Sequence, residues 1–232
     1  MSLKIQALNR IKKKLQINAI IDVGVNNQTI ELIKAFPSIH HHLFEIDPVY
    51  DSSIRSNYAE LKYSLYNFGL SDVPGTMFIN SFSIHGNEEI THTVIRDKPL
   101  NNYNGNQILS SKKVQIIRLD QSEQVFPHHL LMKIDVDGTD LKVFSGAEGI
   151  LELIDVIIIE STNVKLAETI NKVSKHDYFL SDIADIMYYG DSIYQMDLIF
   201  IRNEYKSIFL ENLYPFKPQE WKTYVAKNFN KS

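Results

Sequence analysis

Short apolar runs that end on an acidic residue, separated by stretches of helical periodicity, constrain this chain more than any other feature. Ala19 to Val23 is apolar except for Asp22 and runs into Gly24, and His42 to Phe44 runs into Glu45. Leu130 to Ile134 ends in Asp135, and Val156 to Ile159 ends in Glu160. Ile30, Ile33 and Phe36 recur at helical spacing after the first run, a short helix is expected after Pro48, and residues 141–153 and 164–175 read as further helices. Strands that alternate with helices specify a parallel sheet joined by crossover helices. The expected fold is therefore α/β, a Rossmann-like doubly wound sheet. Tyr63 to Phe68 adds a third strand. Tyr178 to Tyr189 and Ile193 to Ile201 flank Gly190-Asp191 and read as an antiparallel pair at the C-terminal side of the sheet.

A single domain over 1–232 accommodates all of this, since 232 residues bury a sizeable core. Residues 1–16 are expected to form a basic amphipathic helix with Leu8, Ile11 and Leu15 on one face, capping a core that spans 17–203. Residues 74–112 break the alternation with Asn, Ser and His, and are expected to be a flap or loop insertion. Residues 204–232 carry Tyr205, Phe209, Tyr214, Phe216, Trp221, Tyr224 and Phe229, so this tail is expected to pack on the body or on a second copy of the chain.

Charge and cysteine usage exclude several functions. A net charge of -4 gives no reason to expect nucleic acid as a partner. With no Cys, disulfides, thiolate metal sites and Cys nucleophiles are ruled out. Lys4, Arg10 and Lys12 to Lys14 interrupt any secretory pattern, and no stretch is apolar enough to span a bilayer. The expectation is a soluble, cytoplasmic protein.

The strongest local constellation is Ile20-Ile21-Asp22-Val23-Gly24 with Glu45 at the end of the next strand. A glycine at a strand-to-helix turn permits a sharp bend and close approach of a ligand. A carboxylate about 20 residues on, at the tip of the second strand, can accept hydrogen bonds from both hydroxyls of a ribose. Dinucleotide sites need several glycines for the pyrophosphate, whereas this turn reads Gly24-Val25-Asn26-Asn27-Gln28. The single glycine favours S-adenosylmethionine, which has no phosphate, over a nicotinamide cofactor.

Further segments extend the pattern: Leu43-Phe44-Glu45-Ile46-Asp47-Pro48, Phe68-Gly69-Leu70-Ser71-Asp72 and Arg118-Leu119-Asp120. Met132-Lys133-Ile134-Asp135-Val136-Asp137-Gly138 with Phe144-Ser145-Gly146-Ala147, then Ile158-Ile159-Glu160 and Met196-Asp197-Leu198-Ile199-Phe200, follow in order. In these segments the chain, from about Ile17 to Asn203, resembles the FkbM-type family of methyltransferases. The resemblance implies a class I methyltransferase fold with a seven-strand sheet, S-adenosylmethionine as cofactor, and O-methylation of a hydroxyl on a sugar, glycan or small natural product. It implies that Asp22, Gly24 and Asn26 line the methionine end of the cofactor, that Glu45 holds the ribose, and that Gly69, Leu70 and Ser71 flank the adenine. The chain departs from the family pattern at Val25 and Gln28, where alanine and glycine are usual, and at Ile46 and Asp137, where proline and glutamate are usual.

Removing the proton of an alcohol acceptor calls for a positioned base. Asp135, Asp137 and Glu160 at strand ends are the candidates, with His85 and His92 on the 74–112 insertion. Asp135 is favoured because the fourth strand should neighbour the first at the switch point. Its competing role is a turn residue that bonds amides ahead of Thr139. Asp135, Asp137 and Asp140 lack the rest of a calcium loop, so no metal is expected. His40 to His42 alternate along one strand and are expected at its edge and surface. The alternative, prompted by Val25 and Gln28, is a catalytically silent adenosyl-binding or scaffold protein.

Overall fold

A computed structural model describes residues 2–88, 90–136 and 138–210. The chain begins with α1 (Leu3–Lys14), where Ser2 Oγ accepts the Ile5 N–H and Lys12 to Lys14 occupy the last turn, the sign that suits a helix C-terminus. Next come β1 (Ala19–Val23), α2 (Ile30–Ala35), β2 (His40–Phe44), α3 (Asp51–Asn57) and β3 (Tyr63–Tyr66). Five strands then follow without an α-helix: β4 (Gly69–Leu70), β5 (Gly75–Phe82), β6 (His92–Arg96), β7 (Asn102–Tyr103) and β8 (Asn106–Ile117). The remainder is β9 (Leu130–Ile134), α4 (Asp140–Ser145), β10 (Ile154–Thr162), α5 (Leu166–Ser174), β11 (Tyr178–Tyr189), β12 (Ser192–Arg202) and α6 (Lys206–Leu210).

Seven strands form the central sheet in the order β11-β12-β10-β9-β1-β2-β3. All neighbours are parallel except β12, which runs antiparallel to both β10 and β11. Both faces are covered, so the inner strands read as near-continuous apolar runs. Ile21, Val23, Met132, Ile134, Ile157, Ile159, Leu198 and Phe200 build one core. Ile20, Leu131, Val156, Ile158, Ile199 and Ile201 pack on the other face against Ala7, Leu8 and Ile11 of α1. Among the described residues no helix is long and apolar enough to cross a membrane.

Two parts of the structure differ from expectation. Residues 74–112 are not a loop: β5, β6, β7 and most of β8 lie in them, in a second sheet ordered β4-β8-β5-β6 with β7 paired to β8. The polar residues that suggest a loop are used internally. Asn80, fully buried, accepts from the Leu100 N–H and Ser111 Oγ, and donates to the carbonyls of Phe78 and Lys98. His41 is likewise not at the surface, because β2 lies between β1 and β3 and turns this residue inward. Its Nε2 donates to the Phe36 carbonyl, and burial lowers its pKa. The aromatic tail beyond Leu210 lies outside the described residues.

Candidate active site

The chain leaves β1 toward β2 and β3 on one side and returns to β9 on the other. Such a reversal opens a crevice beyond the strand ends, where open α/β sheets bind ligands. A cavity of about 270 Å³ lies there. Gly24 and Asn26 from the β1 turn, Glu45, Ile46 and Asp47 from the end of β2, and Asp135, Val136 and Thr139 from the end of β9 line it. Its roof is residues 91–96, contributed mainly by β6 of the second sheet.

Each lining residue has a local reason for its position. Gly24 has φ +79°, and a Cβ there would overlap the carbonyl oxygen of Asp135, so the β1 turn passes directly against the end of β9. Asn26 takes φ +53°, a conformation Asn tolerates better than most residues. Glu45 Oε2 accepts the Asn26 N–H at 2.8 Å, and Oε1 accepts the Asp47 N–H at 2.9 Å. These bonds fix the carboxylate between the two turns, although burial raises its pKa. Asp47 Oδ1 accepts the Val49 N–H and pairs with Lys112 of β8 at 3.2 Å, which ties the second sheet to the floor of the cavity. Asp47 Oδ2 is buried with no hydrogen-bond partner.

Below the cavity the sheet carries buried charges. Register sets Lys133 of β9 beside Asp22 of β1. Lys133 Nζ is 3.1 Å from Asp135 Oδ2 and 3.6 Å from Asp22 Oδ1, and its side chain is only 4% exposed. Burial alone would lower its pKa, but Asp22 and Asp135 outweigh that and raise it, so the ammonium stays charged. On the same face Lys4 of α1 bridges Asp185 and Asp197. Asp140 accepts the N–H groups of Val136 and Gly138, and so shapes the turn between β9 and α4.

A second cavity of about 440 Å³ adjoins the first, and His92, Thr93 and Val94 line both. Glu160 faces this second cavity, where its Oε2 accepts from Gln195 Nε2 at 2.7 Å. His92 Nδ1 lies 3.1 Å from Thr91 Oγ1, and its ring stacks on Phe82.

The fold thus gathers Gly24, Asn26, Glu45, Asp135 and His92 around one cavity, with Glu160 in the next. Asp22 is fully buried beneath the floor and paired with Lys133. Gly69, Leu70 and Ser71 do not line the first cavity. Gly69 packs against Ile46 and Ile116, Leu70 is buried, and the Ser71 carbonyl abuts Gly146. Asp137 lies outside the described residues. Lys133, Asp47 and Lys112 were not singled out by sequence reasoning. A lone lysine inside the apolar run of β9 was the available signal for the first of them.

The residues present suit S-adenosylmethionine. Glu45 and the partnerless oxygen of Asp47 form an acceptor-rich end, which fits the hydroxyl and amino donors of an adenosine and not the oxygens of a phosphate. Strand order, the antiparallel β12 and the location of the cavity are together those of the class I methyltransferases. The methyltransferase FkbM domain model matches residues 14–189, and the chain belongs to that family, whose cofactor is S-adenosylmethionine. No curated protein matches the chain. Similar solved structures include the N-methyltransferase NodS from Bradyrhizobium japonicum, 6% identical over 86% of this chain and 92% of that one, with a TM-score of 0.49. A TehB-like SAM-dependent methyltransferase from Corynebacterium glutamicum is 9% identical over 86% and 87%, with a TM-score of 0.43. TrmK from M. capricolum, solved with S-adenosyl-homocysteine, is 12% identical over 88% and 69%, with a TM-score of 0.40.

Proposed function

We propose that the protein transfers a methyl group to a hydroxyl oxygen on a sugar, glycan or small natural product. The observation that carries this reading is the meeting of two cavities at His92, with Asp135 on one side and Glu160 on the other. S-adenosylmethionine, when bound, supplies a methyl group on a positively charged sulfur. The residues around it provide alignment and a proton acceptor. Glu45 fixes the ribose through the lone pairs its two backbone bonds leave over. Asp135, held by the Lys133 ammonium, presents a carboxylate to the cavity and accepts the hydroxyl proton as the new bond forms.

The silent-scaffold alternative loses its motivation. Val25 is 2% exposed and packs with Leu43, Ile54 and Tyr58, while Gln28 points to solvent, so neither narrows the cavity. The test has two stages. Calorimetry with S-adenosylhomocysteine should give saturable binding at one site. Incubation with labelled cofactor and a panel of alcohols, glycosides, carboxylic acids and amines should then label an alcohol or glycoside, giving an ether stable to mild alkali. Label carried only by a carboxylic acid, as an alkali-labile ester, or only by an amine would refute the hydroxyl assignment.

A further inference from the structure

Among the described residues that line the first cavity, Arg96 of β6 is the only Lys or Arg. We infer that Arg96 holds the carboxylate at the methionine end of the cofactor, and so makes the site select for cofactor forms that carry it. The inference rests on the methyltransferase reading above and adds one contact, from the second sheet, to that site.

The charges of the cavity are the first argument. Glu45, Asp47 and Asp135 bring three carboxylates to its walls. Such walls suit a sulfonium and an ammonium group, but repel a carboxylate unless a donor faces it. The backbone amides at hand are already spent. The Gly24 N–H donates to the Phe44 carbonyl, the Asp135 N–H to the Val23 carbonyl, the Asn26 N–H to Glu45 and the Val136 N–H to Asp140. A side chain must therefore receive the carboxylate, and a guanidinium brings both a positive charge and a planar fork that matches it.

The setting of Arg96 is the second argument. Its Nη1 donates to the Ile95 carbonyl at 2.7 Å and its Nη2 to the Tyr103 hydroxyl at 3.1 Å, with the guanidinium carbon 5.1 Å from the centre of the Tyr103 ring. These partners are neutral, and of the five N–H donors of a guanidinium three remain. Tyr103 lines the second cavity together with Gly138, which follows β9, and Glu160 of β10. It therefore draws the guanidinium toward the β9 side of the crevice and away from Glu45 and Asp47 at the end of β2. With the adenosine on Glu45 and Asp47, the end of the cofactor that meets Arg96 is the amino-acid end.

The probes are S-adenosylhomocysteine and its decarboxylated form, which keeps the amine and lacks only the carboxylate. Each is titrated by calorimetry at about pH 8, where an ordinary imidazole is uncharged. The decarboxylated form carries an extra net positive charge, so the acidic walls alone would favour it. Wild type should instead bind S-adenosylhomocysteine at least about tenfold more tightly. Arg96→Gln should erase or reverse that preference, weakening S-adenosylhomocysteine about tenfold while the decarboxylated form changes by less than about twofold. Arg96→Lys keeps the charge without the fork and should retain part of the preference. Arg96 is exposed, so both variants should melt close to wild type. If neither ligand binds wild type, the methyltransferase reading fails and takes the inference with it. If both bind with no preference for the carboxylate, or if Arg96→Gln weakens both alike, Arg96 serves only to prop the roof through Tyr103 and its assignment alone is overturned.

Discussion

Replacing Lys133 by Met tests the buried charges directly, because Met fills the space of the lysine stem without its ammonium. The lysine lies 3.1 Å from one carboxylate and 3.6 Å from another, and its side chain is 4% exposed. At an effective dielectric of about 20, each contact is worth roughly 4–5 kcal/mol before desolvation is subtracted. Removing the cation strands Asp22, which is fully buried, so the expected net loss is about 3–5 kcal/mol. For a domain of this size the thermal midpoint should then fall by about 6–20 °C, at roughly 2–4 °C per kcal/mol. The loss should shrink as the pH is lowered. A carboxylate that has lost its counter-ion in the folded variant binds a proton more tightly than it does in the unfolded chain, so relative stability rises as pH falls. Asp22→Asn in the same chain should restore much of the stability, since the pair is then removed as a unit. Urea denaturation of wild type, both single variants and the double variant at pH 5 and pH 8 provides the assay. A Lys133→Met loss below about 1 kcal/mol, with no pH dependence and no coupling to Asp22, would refute the reasoning.

Three further outcomes are expected. Glu45→Ala should weaken cofactor binding by about 1.5–3 kcal/mol, roughly 10- to 150-fold, by calorimetry. Because burial holds the Glu45 carboxyl above its usual range, wild-type affinity should decline as pH falls through that raised value, and the variant should lack this decline. Gln28→Gly should leave the dissociation constant within about twofold, as at other exposed positions away from contacts. Asp135→Asn should lower turnover about 100-fold while cofactor affinity stays within a few-fold; intact turnover would assign Asp135 to the turn alone and the base to Glu160 or His92.

The sheet was legible because its strands are buried on both faces and end on acids, a pattern that survives in one dimension. Gly24 and Glu45 were legible for the same reason, since each sits at a strand end with a fixed spacing. Lys133 was not, because its meaning depends on the register that sets it beside Asp22. The role of His41 required knowing that β2 is an interior strand. Residues 74–112 read as a loop because Asn80 and its neighbours are polar, yet they satisfy one another inside a sheet. Gly69 to Ser71 match the family motif, but the closeness of Ile116 and Gly146 decides their packing, and no spacing rule reveals it.

The roof over the first cavity and much of the wall of the second come from one uninterrupted piece of chain, Gly75–Ile117. Gly24, Glu45 and Asp135 all lie outside it. Among the described residues its joints to the body include the short parallel pairing of β4 with β8, the Ser71 N–H bond to the Ile117 carbonyl, the packing of Ile117 on the main core and the ion pair of Lys112 with Asp47. A change in this piece therefore alters the roof of the first cavity and the wall of the second together, and it reaches the turn after β2 through the pairing of Lys112 with Asp47. The strand ends that carry Gly24, Glu45 and Asp135 belong to a different sheet, so the two halves of the crevice are built by separate parts of the fold.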